Sequence, residues 1–267
     1  MKDLKAIAVI PARYASKRFP GKALAAQTGK PLVQHVYEQV ARARSLSEVI
    51  VATDDQRIFD AVTAFGGAVQ MTRADHASGT DRVAEVAAGS DAEIIINCQG
   101  DEPELEPTLV DLLVDLTGAD GVEMATLAAP IHSVAELESH NVNKVVCDHD
   151  GNALYFSRCP IPYDRDGAAH LEADPPQYLK HIGIYGFRRS FLAEMTGWPP
   201  GVLERIERLE QLRVLEHGRK IRVGIVEYES RGVDTPADYA AFVARYEQAG
   251  KHDHQKHQKN TRDTREG

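Results

Sequence analysis

The chain has 267 residues, of which 43% are hydrophobic, and carries a formal net charge of −9. This composition suits one large or two small domains, and the negative charge disfavours nucleic-acid binding, which normally needs a basic face. No run of about 18 apolar residues occurs, and the N-terminus, MKDLKAIAVIPAR, lacks a signal-peptide pattern, so we expect no membrane insertion. Cys98, Cys147 and Cys159 are odd in number and form no CxxC pair, which predicts a reducing, cytoplasmic location.

Short apolar runs alternate with helical patterns in the first half of the chain. The runs predict strands over residues 6–10, 48–52, 68–71 and 93–97, and the patterns predict helices over residues 31–44, 56–65 and 81–88. This alternation predicts an α/β fold in which a mostly parallel sheet has helices on both faces.

The second half of the chain predicts an antiparallel excursion within the same domain. Strands are expected over residues 124–128, 143–148, 152–156, 181–186 and 221–227, and helices over residues 203–216 and 237–248. The strands that flank residues 148–152 are too close in sequence for a parallel crossover, so we place the excursion at about residues 129–187. We interpret residues 1–250 as one domain. Residues 251–267 contain no large apolar residue and are predicted to be a disordered tail.

A cation-rich loop follows the first predicted strand. Pro20 and Gly21 bend this loop, and its cations are Arg13, Lys17, Arg18 and Lys22. Cations packed so closely repel one another unless a polyanion lies between them, and a triphosphate is the obvious polyanion. A solvated basic loop is the alternative. The position at the carboxyl end of a strand, where α/β sheets bind ligands, favours the phosphate site.

Two common nucleotide-binding patterns are missing. Ser16 stands where a Walker A loop needs its first glycine, and Ala23 stands where that loop needs a hydroxyl. No GxGxxG occurs anywhere in the chain. The sequence therefore disfavours a hydrolysing P-loop enzyme and a dinucleotide-binding domain.

Two aspartates on separate turns are candidate Mg²⁺ ligands. Asp101 follows the strand over residues 93–97 in the turn QGDEP; a capping role for the helix that begins near Pro107 is the alternative. In GVDTPAD, Thr235 and Asp238 have the spacing of a capping box around Pro236. Asp234 then has no capping duty and is free to bind a metal.

The segment RADHASGTDR, residues 73–82, precedes a predicted helix. Its hydroxyls and backbone amides suit a base or a ribose, whereas capping by Ser78 or Thr80 is the ordinary alternative. Both roles are compatible. We do not assign His76 a catalytic role.

Eight motifs in order carry a resemblance to a known family. They are AVIPARYASKRFPGKALA, VATDDQRI, TRADHASGTDRVAE, NCQGDEP, ALYFSRCPIP, HIGIYGFR, LEQLRVL and GVDTPADY. Over about residues 7–246 the chain resembles the 3-deoxy-manno-octulosonate cytidylyltransferases, or CMP-Kdo synthetases. The resemblance implies a GT-A-like nucleotidyltransferase that acts as a homodimer, with the antiparallel excursion as its dimerisation subdomain. It implies transfer of CMP from CTP to the anomeric hydroxyl of the acidic eight-carbon sugar Kdo, with release of pyrophosphate, for lipopolysaccharide synthesis.

The resemblance also assigns roles to residues that match the family motifs. It implies a triphosphate site at Arg13, Ser16, Arg18 and Lys22, and a cytidine site at Arg73, Ser78, Gly79 and Thr80. It implies Mg²⁺ binding by Asp101 and Asp234. It places Gln99, His181, Tyr185, Glu210 and Gln211 on the sugar side of the cleft.

The residues alone favour the sugar set less strongly than the phosphate set. His181 and Tyr185 share one face of a predicted strand, and Glu210 and Gln211 lie on a predicted helix, so a packed aromatic and a solvated helix face are the alternatives. The extra cation Lys17, where the family has a small hydroxyl residue, is expected to face solvent.

Three other functions are weighed against this one. The same chemistry on another acid sugar, sialic acid or an 8-amino derivative of Kdo, is the nearest alternative. A GT-A glycosyltransferase should show a DxD-type motif, which QGDEP is not. An inactive nucleotide-binding regulator is disfavoured because both aspartates and the cations are present.

Overall fold

The computed structural model describes residues 4–16, 18–165, 171–173 and 175–263. Lys17, which was expected to face solvent, lies outside these residues. The strands are β1 Ala6–Ala12, β2 Glu48–Thr53, β3 Ala68–Met71, β4 Ile94–Asn97, β5 Met124–Pro130, β6 Lys144–Cys147, β7 Ala153–Ser157, β8 Leu179–Arg188 and β9 Arg222–Ile225. The helices are α1 Leu32–Val40, α2 Gln56–Ala64, α3 Gly79–Ala88, α4 Pro107–Gly118, α5 Val134–Glu138, α6 Arg189–Thr196, α7 Val202–Glu207, α8 Leu212–Glu216 and α9 Pro236–Asp263, with a 3₁₀ helix at Lys22–Leu24.

The central sheet has the order β3-β2-β1-β4-β8-β5-β9. All neighbouring pairs in this order are parallel except the two that involve β8, which runs antiparallel to β4 and β5. The predicted mostly parallel α/β fold is confirmed. Because β8 is reversed, its N-terminal half lies at the same edge of the sheet as the carboxyl ends of β1 and β4.

Alternate residues of β1 enter two different cores. Ala8 and Ile10 join a cluster with α1, α2 and α4, whereas Ile7 and Val9 join a cluster with α3, α6 and α8. Ile7, Val9 and Ile10 are fully buried, and burial of each such side chain stabilises the fold by about 1.5–3 kcal/mol. Helices therefore cover both faces of the sheet, as predicted.

The antiparallel excursion consists of the β6–β7 hairpin, whose β6 also pairs with the start of β8. The strand predicted over residues 181–186 was assigned to this excursion, but β8 continues into the central sheet. With ten residues it is long enough for its first part to pair with β6 and its second part with β4.

Three predicted helices have different bounds in the structure. The helix predicted over residues 31–44 is α1, which ends at Val40. The helix predicted over residues 203–216 is α7 and α8, separated where Arg208 adopts a left-handed backbone with φ 57°. Helix α9 continues to Asp263, past the predicted end at Gln248 and through most of the tail that was predicted to be disordered. After Pro236 this run contains no proline and one glycine, Gly250, so little in it ends a helix, and the missing apolar residues remove packing rather than backbone hydrogen bonds. Residues 264–267 lie outside the described chain.

Among the helices of the described residues, we find none with the length and apolar character needed to cross a membrane.

Candidate active site

The cation-rich loop folds back on Tyr14 at the end of β1. The Tyr14 carbonyl accepts hydrogen bonds from the backbone amides of Ser16 and Gly21, both at 2.9 Å. Gly21 has φ 73°, a left-handed conformation that favours glycine, and a Cβ there would lie 3.2 Å from the Tyr14 ring. This turn places Arg13, Ser16, Arg18 and Lys22 at the carboxyl edge of the sheet.

Lys22 joins the two predicted metal aspartates. Its Nζ lies 3.0 Å from Asp101 Oδ2 and 3.6 Å from Asp234 Oδ1, and it donates to the Val233 carbonyl at 2.8 Å. Arg18 Nη2 lies 3.0 Å from the other oxygen of Asp234. Lys22 and Arg18 are thus compensated by carboxylates from two distant turns, and Asp101 and Asp234 both contact Lys22.

The other two predicted triphosphate residues have separate contacts. Arg13 Nη2 donates to the His76 carbonyl at 3.0 Å, which ties the loop to the segment before α3. Ser16 Oγ accepts from the Phe19 amide at 3.4 Å and so stays within the loop.

The donor set at Asp101 and Asp234 is suited to Mg²⁺. Two carboxylates that reach one ammonium group offer hard oxygen ligands around a common point, as Mg²⁺ on a nucleotide requires. Within the described residues there is no cluster of three or more His, Cys, Asp or Glu side chains at metal-binding spacing, so phosphate and water would complete the ligand shell. Thr235 and Asp238 form the predicted capping box, with backbone-to-side-chain bonds of 2.8 and 3.2 Å, which leaves the Asp234 carboxylate to the cations.

Pro11 of β1 is the point at which three segments of the site meet. A Cβ on Gly100 would lie 2.8 Å from the Pro11 carbonyl oxygen, which real Cβ atoms do not tolerate, and a Cβ on Gly79 would lie 3.4 Å from the Pro11 ring. Glycine at position 100 therefore lets the turn of Asp101 pack directly on the strand that leads to the cations.

The predicted cytidine segment combines capping with a contact to the sugar side. Ser78 is the N-cap of α3 and forms a capping box with Asp81. The Thr80 hydroxyl donates a short hydrogen bond to the Glu210 carboxylate. Arg73 pairs with the exposed Asp75 at 3.1 Å and has no hydrogen bond to residues 78–80 within the described chain. The structure therefore brings together Ser78, Gly79 and Thr80 and leaves Arg73 apart.

The predicted sugar residues on β8 form one aromatic and polar cluster. Tyr185 lies opposite Asn97 of β4, and its hydroxyl donates to Gln211 Oε1 at 3.1 Å. The rings of His181 and Tyr185 are 5.3 Å apart, and His181 Nε2 lies 2.9 Å from Thr126 Oγ1. Because the Thr126 hydroxyl donates its proton to the Ile184 carbonyl at 2.7 Å, His181 Nε2 must carry a hydrogen.

Burial sets the charge state of this cluster. It lowers the pKa of His181 to about 3, so the imidazole is neutral at physiological pH, and it raises the pKa of the Tyr185 hydroxyl. Burial also raises the pKa of Glu210, although its hydrogen bond to Thr80 acts in the opposite direction. The predicted sugar residues His181 and Tyr185 are therefore neutral, unlike the residues around Lys22.

Glu210 and Gln211 lie in the turn between α7 and α8, and the prediction that they occupy a continuous helix was wrong. The break at Arg208 turns them toward Thr80 and Tyr185. Gln99 lies near the backbone of β8, since its Cγ is 4.0 Å from where a Gly183 Cβ would be.

Sequence reasoning missed two residues of the site, Asn97 and Thr126. Asn97 Nδ2 donates to Thr80 Oγ1 at 3.4 Å and receives a hydrogen bond from Gln99 at 3.5 Å. Both residues are polar and fully or almost fully buried within otherwise apolar strands. That break in an apolar run is the signal that could have identified them.

Comparisons with known proteins decide the family. A profile described as cytidylyltransferase matches residues 7–221. A Geobacter metallireducens protein named 3-deoxy-manno-octulosonate cytidylyltransferase is 55% identical over 246 residues, which cover 90% of this chain and 97% of the relative. A Solibacter usitatus protein of the same name is 54% identical over 235 residues, or 88% and 91% of the two chains. The chain belongs to the 3-deoxy-manno-octulosonate cytidylyltransferase family. The resemblance inferred from the motifs is confirmed.

A solved structure of this family has the same fold. It is a CMP:2-keto-3-deoxy-manno-octonic acid synthetase in complex with CTP, which superposes with a TM-score of 0.85 at 46% identity and covers 92% of this chain and 99% of its own. The family's nucleotidyltransferase fold thus extends over almost the whole chain.

Proposed function

We propose that this protein transfers CMP from CTP to the anomeric hydroxyl of 3-deoxy-D-manno-octulosonate and releases pyrophosphate, a step of lipopolysaccharide synthesis. The observation that carries this proposal is the meeting of Asp101, Asp234 and Lys22 beyond the carboxyl end of β4, the strand whose last residue lies opposite Tyr185, the hydrogen-bond partner of Gln211. A charged end suits a triphosphate, and a neutral polar end suits a sugar. The names of the relatives support this choice of substrates.

The cations act on the leaving group. In phosphoryl transfer the sugar hydroxyl attacks the α-phosphorus in line, and negative charge builds on the phosphoryl oxygens and on the departing pyrophosphate. Arg18 and Lys22 neutralise that charge, and Arg13 holds the loop against the cytidine segment. To bind the triphosphate, Arg18 and Lys22 exchange their contacts with Asp101 and Asp234 for contacts with phosphate oxygens.

Asp101 and Asp234 are the residues that would hold Mg²⁺. A bound Mg²⁺ polarises phosphate oxygens and offsets their negative charge. The two carboxylates also explain why Lys22 is fixed in place before the triphosphate arrives.

The neutral end of the cleft orients the sugar. The Tyr185 hydroxyl and the Gln211 amide form a hydrogen-bonded pair, and the amide Nε2 of Gln211 is buried with no partner among the described residues. A sugar hydroxyl or carboxylate supplies the acceptor that this donor needs. His181, neutral and with Nε2 committed to Thr126, presents Nδ1 as an acceptor.

Pyrophosphate release tests the activity. Purified protein with CTP and Mg²⁺ is given Kdo, 8-amino-Kdo, sialic acid or no sugar. We expect release with Kdo well above release with the other two sugars and none without sugar. Tight CTP binding with no release on any sugar would indicate a regulator, and preference for another sugar would reassign the acceptor.

The proposal includes a homodimer in the cytoplasm. Exposed apolar side chains lie on or beside the antiparallel excursion, at Leu154 (61% exposed), Tyr163 (87%) and Ile206 (73%). Arg158 Nε donates to the Glu207 carbonyl at 2.7 Å, which joins the excursion to α7. Three free cysteines are consistent with a reducing compartment. Light scattering should give twice the chain mass, and Leu154→Lys with Ile206→Lys should give the monomer.

A further inference from the structure

The turn that carries Asp101 also carries a second carboxylate, Glu102, which takes no part in the cation cluster. Its Oε1 accepts a hydrogen bond from Ser230 Oγ at 2.6 Å. Gly232 approaches the same oxygen so closely that a Cβ there would lie 3.1 Å from it. Glu102 is thus packed against residues 228–232, the segment that leads to Asp234.

This segment is tied to the Asp101 turn at two places. Glu102 holds it at Ser230, and the Asp101 carbonyl accepts from the Val233 amide at 2.8 Å. Asp234 is the next residue; its side chain is 48% exposed, and its ion pairs within the described residues are those with Arg18 and Lys22. The position of the Asp234 carboxylate therefore depends on how the preceding segment is held.

If the contact between Glu102 and residues 228–232 served only packing, it would lower the stability of the fold. Glu102 Oε2 and the Tyr228 hydroxyl are both buried without a hydrogen-bond partner among the described residues. Buried polar atoms without partners destabilise a fold, and an apolar side chain would fill this space at lower cost. Such groups are few in native structures, and a role at a functional site is one reason for keeping them.

We infer that Glu102 is a positioning residue, which holds residues 228–232 and thereby sets the separation of the Asp101 and Asp234 carboxylates. It acts on the affinity of that pair for a divalent cation bound together with CTP. The inference rests on the proposed function, in which those two aspartates hold Mg²⁺. Residues that orient metal ligands typically contribute about 10–100-fold to metal affinity or activity.

CTP binding measured by calorimetry with Mg²⁺ and with EDTA tests the inference without turnover. The ratio of the two dissociation constants measures how strongly metal and nucleotide support each other. For Glu102→Ala we expect this ratio to fall about tenfold, with the CTP affinity in EDTA unchanged. Glu102→Gln keeps an acceptor for Ser230, so we expect a ratio within about threefold of that of the unaltered protein.

Two variants control the measurement. Glu106→Ala removes a nearby exposed carboxylate for which the described residues show no side-chain capping bond, and we expect it to leave the ratio unchanged. Ser230→Ala removes the partner of Glu102 at an exposed position, so it tests the same contact even if Glu102→Ala does not fold. We expect it to lower the ratio in the same direction by a smaller factor.

An unchanged ratio in both Glu102→Ala and Ser230→Ala would overturn the inference. Equal losses in Glu102→Gln and Glu106→Ala would also overturn it, because they would assign the effect to charge. Asp101→Asn separates this inference from the proposed function: if that variant keeps the ratio, the metal site itself is wrong.

Discussion

The proposed phosphate site and the proposed sugar site, called here the phosphate end and the sugar end, are built in opposite ways. At the phosphate end, Arg18, Lys22, Asp101 and Asp234 are charged and come from loops and turns, and the ion-paired side chains of Arg18 and Asp234 are 65% and 48% exposed. At the sugar end, Tyr185 is a neutral group on a central strand. One end offers charges that can change partners, and the other offers fixed hydrogen bonds.

This difference separates catalysis from selection. Exposed ion pairs contribute little to stability, so the contact between Arg18 and Asp234 is readily exchanged for phosphate oxygens. Hydrogen bonds in a buried site penalise a ligand that leaves one of them unmade. We therefore expect changes at the phosphate end to lower kcat and changes at the sugar end to raise the KM for the sugar.

Replacement of the aspartates should have the largest effect. Asp101→Asn and Asp234→Asn each remove a carboxylate that faces Lys22 and the proposed metal, and we expect kcat to fall on the order of a hundredfold or more. The KM for the sugar should change little. Steady-state pyrophosphate release measures both constants.

Asp91→Asn is the control for loss of an aspartate, since Asp91 is exposed and pairs with Lys5, and both residues precede β4 and β1 whereas the site residues follow these strands. Near-normal kcat in both active-site variants would refute the assignment of the phosphate end.

Gly100→Ala should disturb both ends at once. The new Cβ would lie 2.8 Å from the Pro11 carbonyl oxygen, so the Asp101 turn must move off β1. Overpacking of this kind destabilises a protein by about 1–3 kcal/mol, which urea unfolding will measure. We expect lower kcat and a higher sugar KM together.

Gly89→Ala is the matched control. A Cβ there would lie 3.7 Å from the nearest atom, an ordinary contact, and φ is −87°. If Gly100→Ala is as stable and as active as this control, the close packing on Pro11 has no role in joining the two ends.

Tyr185→Phe should act on the sugar end alone. It removes the hydroxyl that donates to Gln211 at 3.1 Å and leaves the ring. Loss of one buried hydrogen bond corresponds to about 1 kcal/mol, so we expect a sugar KM about five- to tenfold higher with an unchanged KM for CTP. Tyr155→Phe, on β7, controls for loss of a tyrosine hydroxyl. A drop in kcat without a change in sugar KM would contradict the division between the ends.

The phosphate end could be predicted residue by residue because its chemistry is local in sequence. Pro236 and Thr235 fix the start of α9, and this assigns Asp238 to the cap and leaves Asp234 free. A glycine before Asp101 marks the close approach to a neighbouring strand. Each inference needed only a few adjacent residues.

The sugar end could not be predicted in the same way because it depends on long-range pairing. The apolar pattern of β8 does not predict that this strand lies between β4 and β5. It is this placement that puts Tyr185 opposite Asn97. The break at Arg208 contains neither glycine nor proline, so a continuous helix was the natural prediction. The motif resemblance supplied these residues where local reasoning favoured ordinary packing.

The smallest effect is expected from pH, through His181 at the neutral end. Burial lowers its pKa in the folded protein to about 3, below its ordinary value of 6.5, so the unfolded chain binds the proton more readily. The stability that depends on a neutral His181 is complete above pH 6.5 and is lost as the pH falls from there toward 3. Between pH 7.5 and 5.5 this loss amounts to about 1 kcal/mol.

Urea unfolding at both pH values tests this expectation. The loss of stability in His181→Gln should be smaller than that in the unaltered protein by about that amount. His149→Gln, an exposed histidine in the turn between β6 and β7, should behave as the unaltered protein does. If His181→Gln loses as much stability as the unaltered protein, His181 is charged in the folded state, and the contrast between a charged and a neutral end does not hold.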